Sequence, residues 1–135
     1  MTALQLEVLE GEMTVCQVSD GSGIDWSGGL LFVGQTDEEL SVVCRTECVP
    51  GNALRREDGW RAFRIRGQLD FSLTGILSGI ARILAEEKIG IFAVSTYNTD
   101  YVLTKMEDFG RALDALSEHG YEICGQPEGR RTGDM

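Results

Sequence analysis

Apolar and polar positions alternate along the first residues of the chain. Leu4, Leu6 and Val8 alternate with Gln5 and Glu7, which predicts a half-buried strand ending where Leu9 breaks the alternation. Residues 13–18 predict a second strand. Residues 19–29 hold four glycines with Asp20, Asp25 and Trp26 and predict a loop with at most one helical turn. Strands follow at 30–36 and 40–44 across the polar turn Thr36-Asp-Glu-Glu, and Cys48-Val-Pro-Gly-Asn breaks regular structure. A charged lead-in, Arg55-Arg-Glu-Asp-Gly, precedes a strand at 60–66. There Arg61, Phe63 and Ile65 share the face that packs on helices, and Trp60, Ala62, Arg64 and Arg66 share the other.

The period then changes from two to 3.6. Ser72 is a candidate N-cap, and Leu73, Ile76, Leu77, Ile80, Ile83 and Leu84 mark one face of a helix ending near Lys88. Residues 89–97 form a nearly continuous apolar strand. A polar turn, Tyr97, Asn98, Thr99 and Asp100, leads into a second short strand. Thr104-Lys-Met-Glu107 matches a capping box, and Met106, Phe109, Ala112, Leu113 and Leu116 predict the buried stripe of a second helix stopped at Gly120. A last strand covers 121–124, and 125–135 reads as a flexible tail.

Two stretches align at an offset of sixty. Phe32-Val-Gly-Gln-Thr36 lies over Phe92-Ala-Val-Ser-Thr96, Val42 over Val102 and Glu47 over Glu107. Self-similarity of this kind implies two copies of one supersecondary unit. The second copy, from Trp60 to Cys124, reads β-α-β-β-α-β, the ferredoxin-like order; the first has lost most of its first helix. The expected architecture is α+β: two tandem ferredoxin-like βαββαβ units, the first (residues 1–58) degenerate with a truncated first helix, the second at 59–124.

Composition narrows the function classes. The chain has 135 residues and a net charge of −10, which opposes nucleic-acid binding and docking on anionic membranes. No apolar run has the length of a membrane span, and the acidic N-terminus does not resemble a signal peptide. A cytoplasmic location with reduced Cys16, Cys44, Cys48 and Cys124 is expected.

Most of the chain's reactive side chains suggest no chemistry. His119 sits at a helix stop, where it complements the helix dipole, with no nucleophile near it in sequence. Cys44 and Cys48 have a C-x3-C spacing but lack the further clustered ligands that zinc needs, so no metal or cofactor is expected. Arg61, Arg64 and Arg66 would form either an anion patch or an ion-paired surface. Two loops are more informative. Free backbone N–H groups at the start of the first helix, around Thr74, Gly75 and Ile76, would bind a carboxylate. Asp100 would accept from an ammonium group, with hydroxyls from Thr96 and Thr99. Together they match the needs of an α-amino acid; the alternative is an ordinary turn beside an ordinary helix cap. The first-copy counterpart of this turn, Asp37-Glu-Glu-Leu40, has different chemistry, suggesting a task for the second turn that the first lacks.

The stretch Gly67-Gln-Leu-Asp70-Phe-Ser-Leu-Thr-Gly75-Ile-Leu-Ser-Gly-Ile-Ala-Arg-Ile-Leu-Ala-Glu-Glu-Lys-Ile-Gly90-Ile resembles the opening of an ACT domain. Its continuation, Phe92-Ala-Val-Ser-Thr-Tyr-Asn-Thr-Asp-Tyr-Val-Leu-Thr, resembles the ACT subfamily of the CASTOR arginine sensors and of small bacterial tandem-ACT proteins. The likeness is best over residues 60–123 and weaker over 30–50. It departs at Thr74, where ACT loops commonly carry proline. The resemblance implies a non-enzymatic, amino-acid-binding or sensing module, cytoplasmic and homodimeric. Its ligand contacts would lie at Leu73, Thr74, Gly75 and Ile76 and across Thr96, Tyr97, Asn98, Thr99 and Asp100. Arginine specificity does not carry over, because those sensors build their pocket between units of a longer chain. The alternative is an oligomerisation or protein-interaction module with a vestigial ligand site.

Overall fold

The computed structural model of the chain describes residues 4–66 and 75–125. It is a mixed α+β protein. In chain order the elements are β1 (Gln5–Val18), β2 (Leu31–Gln35), β3 (Leu40–Arg45), β4 (Ala53–Ile65), α1 (Ile76–Glu86), β5 (Phe92–Ser95), β6 (Asp100–Lys105), α2 (Met106–Glu118) and β7 (Glu122–Cys124). They divide into two compact units, Met1–Glu10 with Arg61–Met135, and Gly11–Trp60. The strands β1 and β4 each contribute one half to either unit.

In the first of these units the strand order is β7-β1-β4-β6-β5. This is a ferredoxin-like sheet in which the start of β1 lies between β7 and β4. It pairs in parallel with β7 (Leu6 opposite Ile123), and the Arg66 N–H donates to the Gln5 carbonyl at 2.8 Å. The core forms as the pattern predicts except at Met106, which was read into the buried stripe of the second helix and is exposed in its first turn. Leu6, Val8, Phe63, Ile65 and Val102 from the strands meet Ile80, Ile83, Leu84, Phe109, Leu113 and Leu116 from the helices. Phe63 and Ile65, read as the helix-packing face, are fully buried. Arg61 shares that face: its guanidinium lies 5.0 Å from the Phe109 ring centre and donates to the Leu9 carbonyl at 3.1 Å. Both helix ends fall where the sequence places them. Lys88 turns left-handed so that the Ile89 N–H returns to the Leu84 carbonyl, and left-handed Gly120 lets the Tyr121 N–H return to Leu116.

The second unit has the order β2-β3-β1-β4 and no α-helix. Its core is smaller: Cys16, Val18, Val42 and Cys44, with Ile24, Leu31, Leu40 and Val49 against them.

The two hairpins carry the offset of sixty into three dimensions. Gln35 pairs with Leu40 and Phe32 with Val43, as Ser95 pairs with Asp100 and Phe92 with Leu103. The turn hydrogen bonds repeat as well, Thr36 N–H to Glu39 carbonyl at 2.9 Å and Thr96 N–H to Thr99 carbonyl at 2.8 Å. After β6 the chain enters α2. After β3, sixty residues earlier, it makes a single 3-10 turn, Thr46–Cys48. The expected βαββαβ unit over residues 1–58 therefore fails at its second helix as well as its first, because no α-helix lies between β1 and β4.

Other expectations need correction. The two strands read at 4–9 and 13–18 are one, because Gly11 adopts φ +97° and carries the backbone through the break in alternation. The charged lead-in 55–59 belongs to β4; its side chains are almost all exposed, so no period of two marked it. The apolar strand read at 89–97 is shorter, because Ile89 is a core residue of the helix exit. The capping box does not form: Lys105 is the N-cap of α2 without a side-chain bond, and the buried Thr104 hydroxyl donates to the Lys105 carbonyl. Ser72 and the tail beyond Gly125 lie outside the described residues.

Candidate functional site

The β5–β6 turn is built by its threonines. The Thr96 hydroxyl donates to the Thr99 carbonyl at 3.1 Å, doubling the backbone bond that closes the turn. Thr99 is buried, and its hydroxyl donates to the carbonyl of Ile65, the last residue of β4, at 2.7 Å. That bond holds the turn beside the point where the chain leaves β4 toward α1. Tyr97, at the tip, is 74% exposed. Asp100 opens β6, and its Oδ1 accepts from the Ser95 hydroxyl at 2.6 Å. It has no cationic partner among the described residues, so the carboxylate keeps acceptor capacity.

Gly75 is the N-cap of α1, at φ +80°. A Cβ there would come no closer than 4.0 Å to the Ser78 Oγ. The glycine is thus required by its left-handed backbone and not by lack of room. The first turn of α1 has no side-chain cap, which leaves the Ile76 end of the helix without that partner for its backbone donors. Leu73 and Thr74 lie outside the described residues. The structure therefore gathers Thr96, Tyr97, Asn98, Thr99 and Asp100 in one turn and places Gly75 and Ile76 at the start of α1.

The three arginines do not form an anion patch. Arg61 is buried against Phe109. Arg64 pairs with Glu7 at 3.1 Å and donates to the Tyr101 hydroxyl at 3.2 Å. Those bonds, the one to Tyr101 foremost, raise the guanidinium pKa against the effect of burial. Arg66 donates to the Cys124 Sγ at 3.4 Å. His119 is the C-cap of α2, and its Nδ1 lies 2.9 Å from the Ala115 carbonyl. Cys16 and Cys44 are buried; burial, foremost, pushes the Cys44 thiol up to about 12, so it is protonated at neutral pH.

One feature escaped the sequence. A cleft of about 820 Å³ in the Gly11–Trp60 unit is lined by Trp26, Val33 and Leu54 together with the acidic β2–β3 turn. Its signal was present, since a tryptophan in a glycine-rich loop has no core to enter, but nothing in the pattern linked it to Leu54.

The family model described as ACT domain matches residues 55–118, from the middle of β4 to the end of α2. Among curated proteins, none matches. A crystal structure of a protein from Agobacterium tumefaciens is 29% identical, with a TM-score of 0.81 over 96% of this chain and 97% of that one. A protein of unknown function from Vibrio cholerae, described as a possible transport protein, is 20% identical, with a TM-score of 0.68 over 86% and 89%. The aspartate kinase of Clostridium acetobutylicum, described as an allosteric enzyme, is 15% identical, with a TM-score of 0.61 over 85% of this chain and 33% of that enzyme. The comparisons thus show a likeness to the ACT domain over residues 55–118. No helix among the described residues is long and apolar enough to cross a membrane.

Proposed function

We propose that the protein is a non-enzymatic sensor of an α-amino acid, acting as a cytoplasmic homodimer of CASTOR-type tandem ACT units, residues 1–58 and 59–124. The ACT match over 55–118 and the repeated hairpin register support this reading. The ligand site comprises Leu73, Thr74, Gly75 and Ile76 with Thr96, Tyr97, Asn98, Thr99 and Asp100. Backbone N–H groups at the start of α1 take the carboxylate, and Asp100 takes the ammonium. Thr99 positions the turn through Ile65, and exposed Tyr97 covers the side chain. The observation that carries the reading is the Asp100 carboxylate, held by Ser95 yet lacking a cation among the described residues. Ligand binding would bias the arrangement of subunits and so signal to a partner.

A titration of the full chain with each of the twenty amino acids, followed by backbone amide shifts, tests this. One amino acid should move Gly75, Ile76 and Thr96 to Asp100 together. Movement confined elsewhere, or none at millimolar ligand, refutes the site and leaves an interaction module with a vestigial site.

A further inference from the structure

The largest exposed apolar side chains do not gather at the β5–β6 turn. Among the described residues the large hydrophobics most open to solvent are Trp26 (72%), Leu54 (64%), Val33, Tyr97 and Met106. Three of these five, Trp26, Leu54 and Val33, line the cleft described above in the Gly11–Trp60 unit. Apolar surface clustered in a concavity, not scattered, is the usual mark of a binding site. Its volume of about 820 Å³ lies within the roughly 300–1,000 Å³ usual for small-molecule sites.

The charge of the walls selects the ligand. Asp20, Asp37, Glu38 and Glu39 line the cleft, and no lysine or arginine does so among the described residues. Two of the four are engaged. Asp20 accepts from the Ser22 N–H and from Asn52, and Glu39 accepts from Ser41 while also lining a neighbouring pocket that contains Arg55 and Arg56. Asp37 and Glu38 have no side-chain partner among the described residues. Their backbone is fixed, because the Thr36 hydroxyl accepts the Glu38 and Glu39 N–H groups at 3.1 and 3.2 Å. Two unanswered carboxylates on a rigid turn thus stand over an apolar wall with an open indole.

We propose that this cleft binds a small organic cation, an amine or guanidine on an aliphatic stem. The cationic head lies against Asp37 and Glu38, the stem on Leu54 and Val33, and the indole of Trp26 adds cation–π attraction. The same acidic wall repels a carboxylate. The preferred ligand is therefore a decarboxylated base such as agmatine or cadaverine, in preference to arginine or lysine. This site is independent of the amino-acid site at Asp100 and carries the opposite demand, since that site needs the α-carboxylate.

The test is calorimetric titration of the full chain, at low salt, with agmatine, cadaverine and arginine. It uses the wild type, Trp26→Ala, the double variant Asp37→Asn/Glu38→Gln, and Asp100→Ala. All the substitutions in the cleft are at exposed positions, and circular dichroism checks that each variant folds. Agmatine or cadaverine should bind at least tenfold tighter than arginine, weaken tenfold or more in Trp26→Ala and in the double variant, and weaken with added salt. Asp100→Ala should bind the amines as the wild type does. The proposal is overturned by no amine binding at millimolar concentration, by equal binding in the double variant, or by loss of binding in Asp100→Ala. It is also overturned if the cleft takes only a basic peptide, or if Trp26→Ala merely dissociates a dimer. Failure of the amino-acid site would leave the amine result untouched.

Discussion

Thr99 shows how a residue in a candidate site can act through the fold. Its hydroxyl is buried and donates to the Ile65 carbonyl at 2.7 Å. Thr99→Val keeps the shape and strands that carbonyl, so it should lower stability by about 1–2 kcal/mol in urea unfolding; an unchanged midpoint would mean that the bond does not hold the turn. The reading of Thr99 from sequence, as a hydroxyl available to a ligand, could not include this, because Ile65 is 34 positions away and nothing local marks it. Asp100, by contrast, was legible as an acceptor for an ammonium group, because it closes a polar turn between two apolar strands. Asp20 and Asp25 offer a pH test at the same scale. Hydrogen bonding from Ser22 and from Ser27 holds these carboxyls below the usual aspartate value. A depressed folded-state pKa contributes stability that is present above the unfolded value of about 3.9 and is lost as pH falls through the folded value. Carboxyl NMR titration should find both below about 3.9; either one at or above it contradicts the loop geometry.

At the scale of the element, the helices and the two hairpins were readable because each has a single period and a core on one side. The long strands were not. β1 and β4 pass from one unit to the other beside Gly11 and Gly59, both at positive φ, and a glycine beside acidic residues reads as an end. The outcome of substituting each differs for a stated reason. At Gly59 (φ +87°) a Cβ meets nothing within 4 Å, so Gly59→Ala carries conformational strain alone, about 1–2 kcal/mol. At Gly11 (φ +97°) the Cβ would also stand 2.7 Å from the Arg45 Nε, so Gly11→Ala should cost more than Gly59→Ala in paired denaturation curves. Equal costs would show that Arg45 moves aside freely. The reduction of the first copy's second helix to Thr46–Cys48 was hidden too, because Val49 and Ala53 pack on the small core from a segment with no helical period.

For the whole molecule, the sequence repeat carried the most information and also the largest omission. It located two hairpins in equivalent registers, and a task was assigned to the turn whose chemistry suited an amino acid. The other turn reads as mere acid, because its apolar wall comes from Trp26 and Leu54, on segments that only folding brings to it. A net charge of −10 favours cations in solution around the chain as a whole, so selective binding has to be judged by position and not by charge alone. The central claim is the proposal that the ACT-like segment binds an amino acid at Asp100. The most direct measurement is the shift in melting temperature caused by each of the twenty amino acids in the wild type and in Asp100→Ala. An amino acid at a hundred times its Kd adds about 2.7 kcal/mol to stability. The account predicts a raised melting temperature with at least one amino acid, abolished in a folded Asp100→Ala protein; no shift with any amino acid, or the same shift in both proteins, would contradict it.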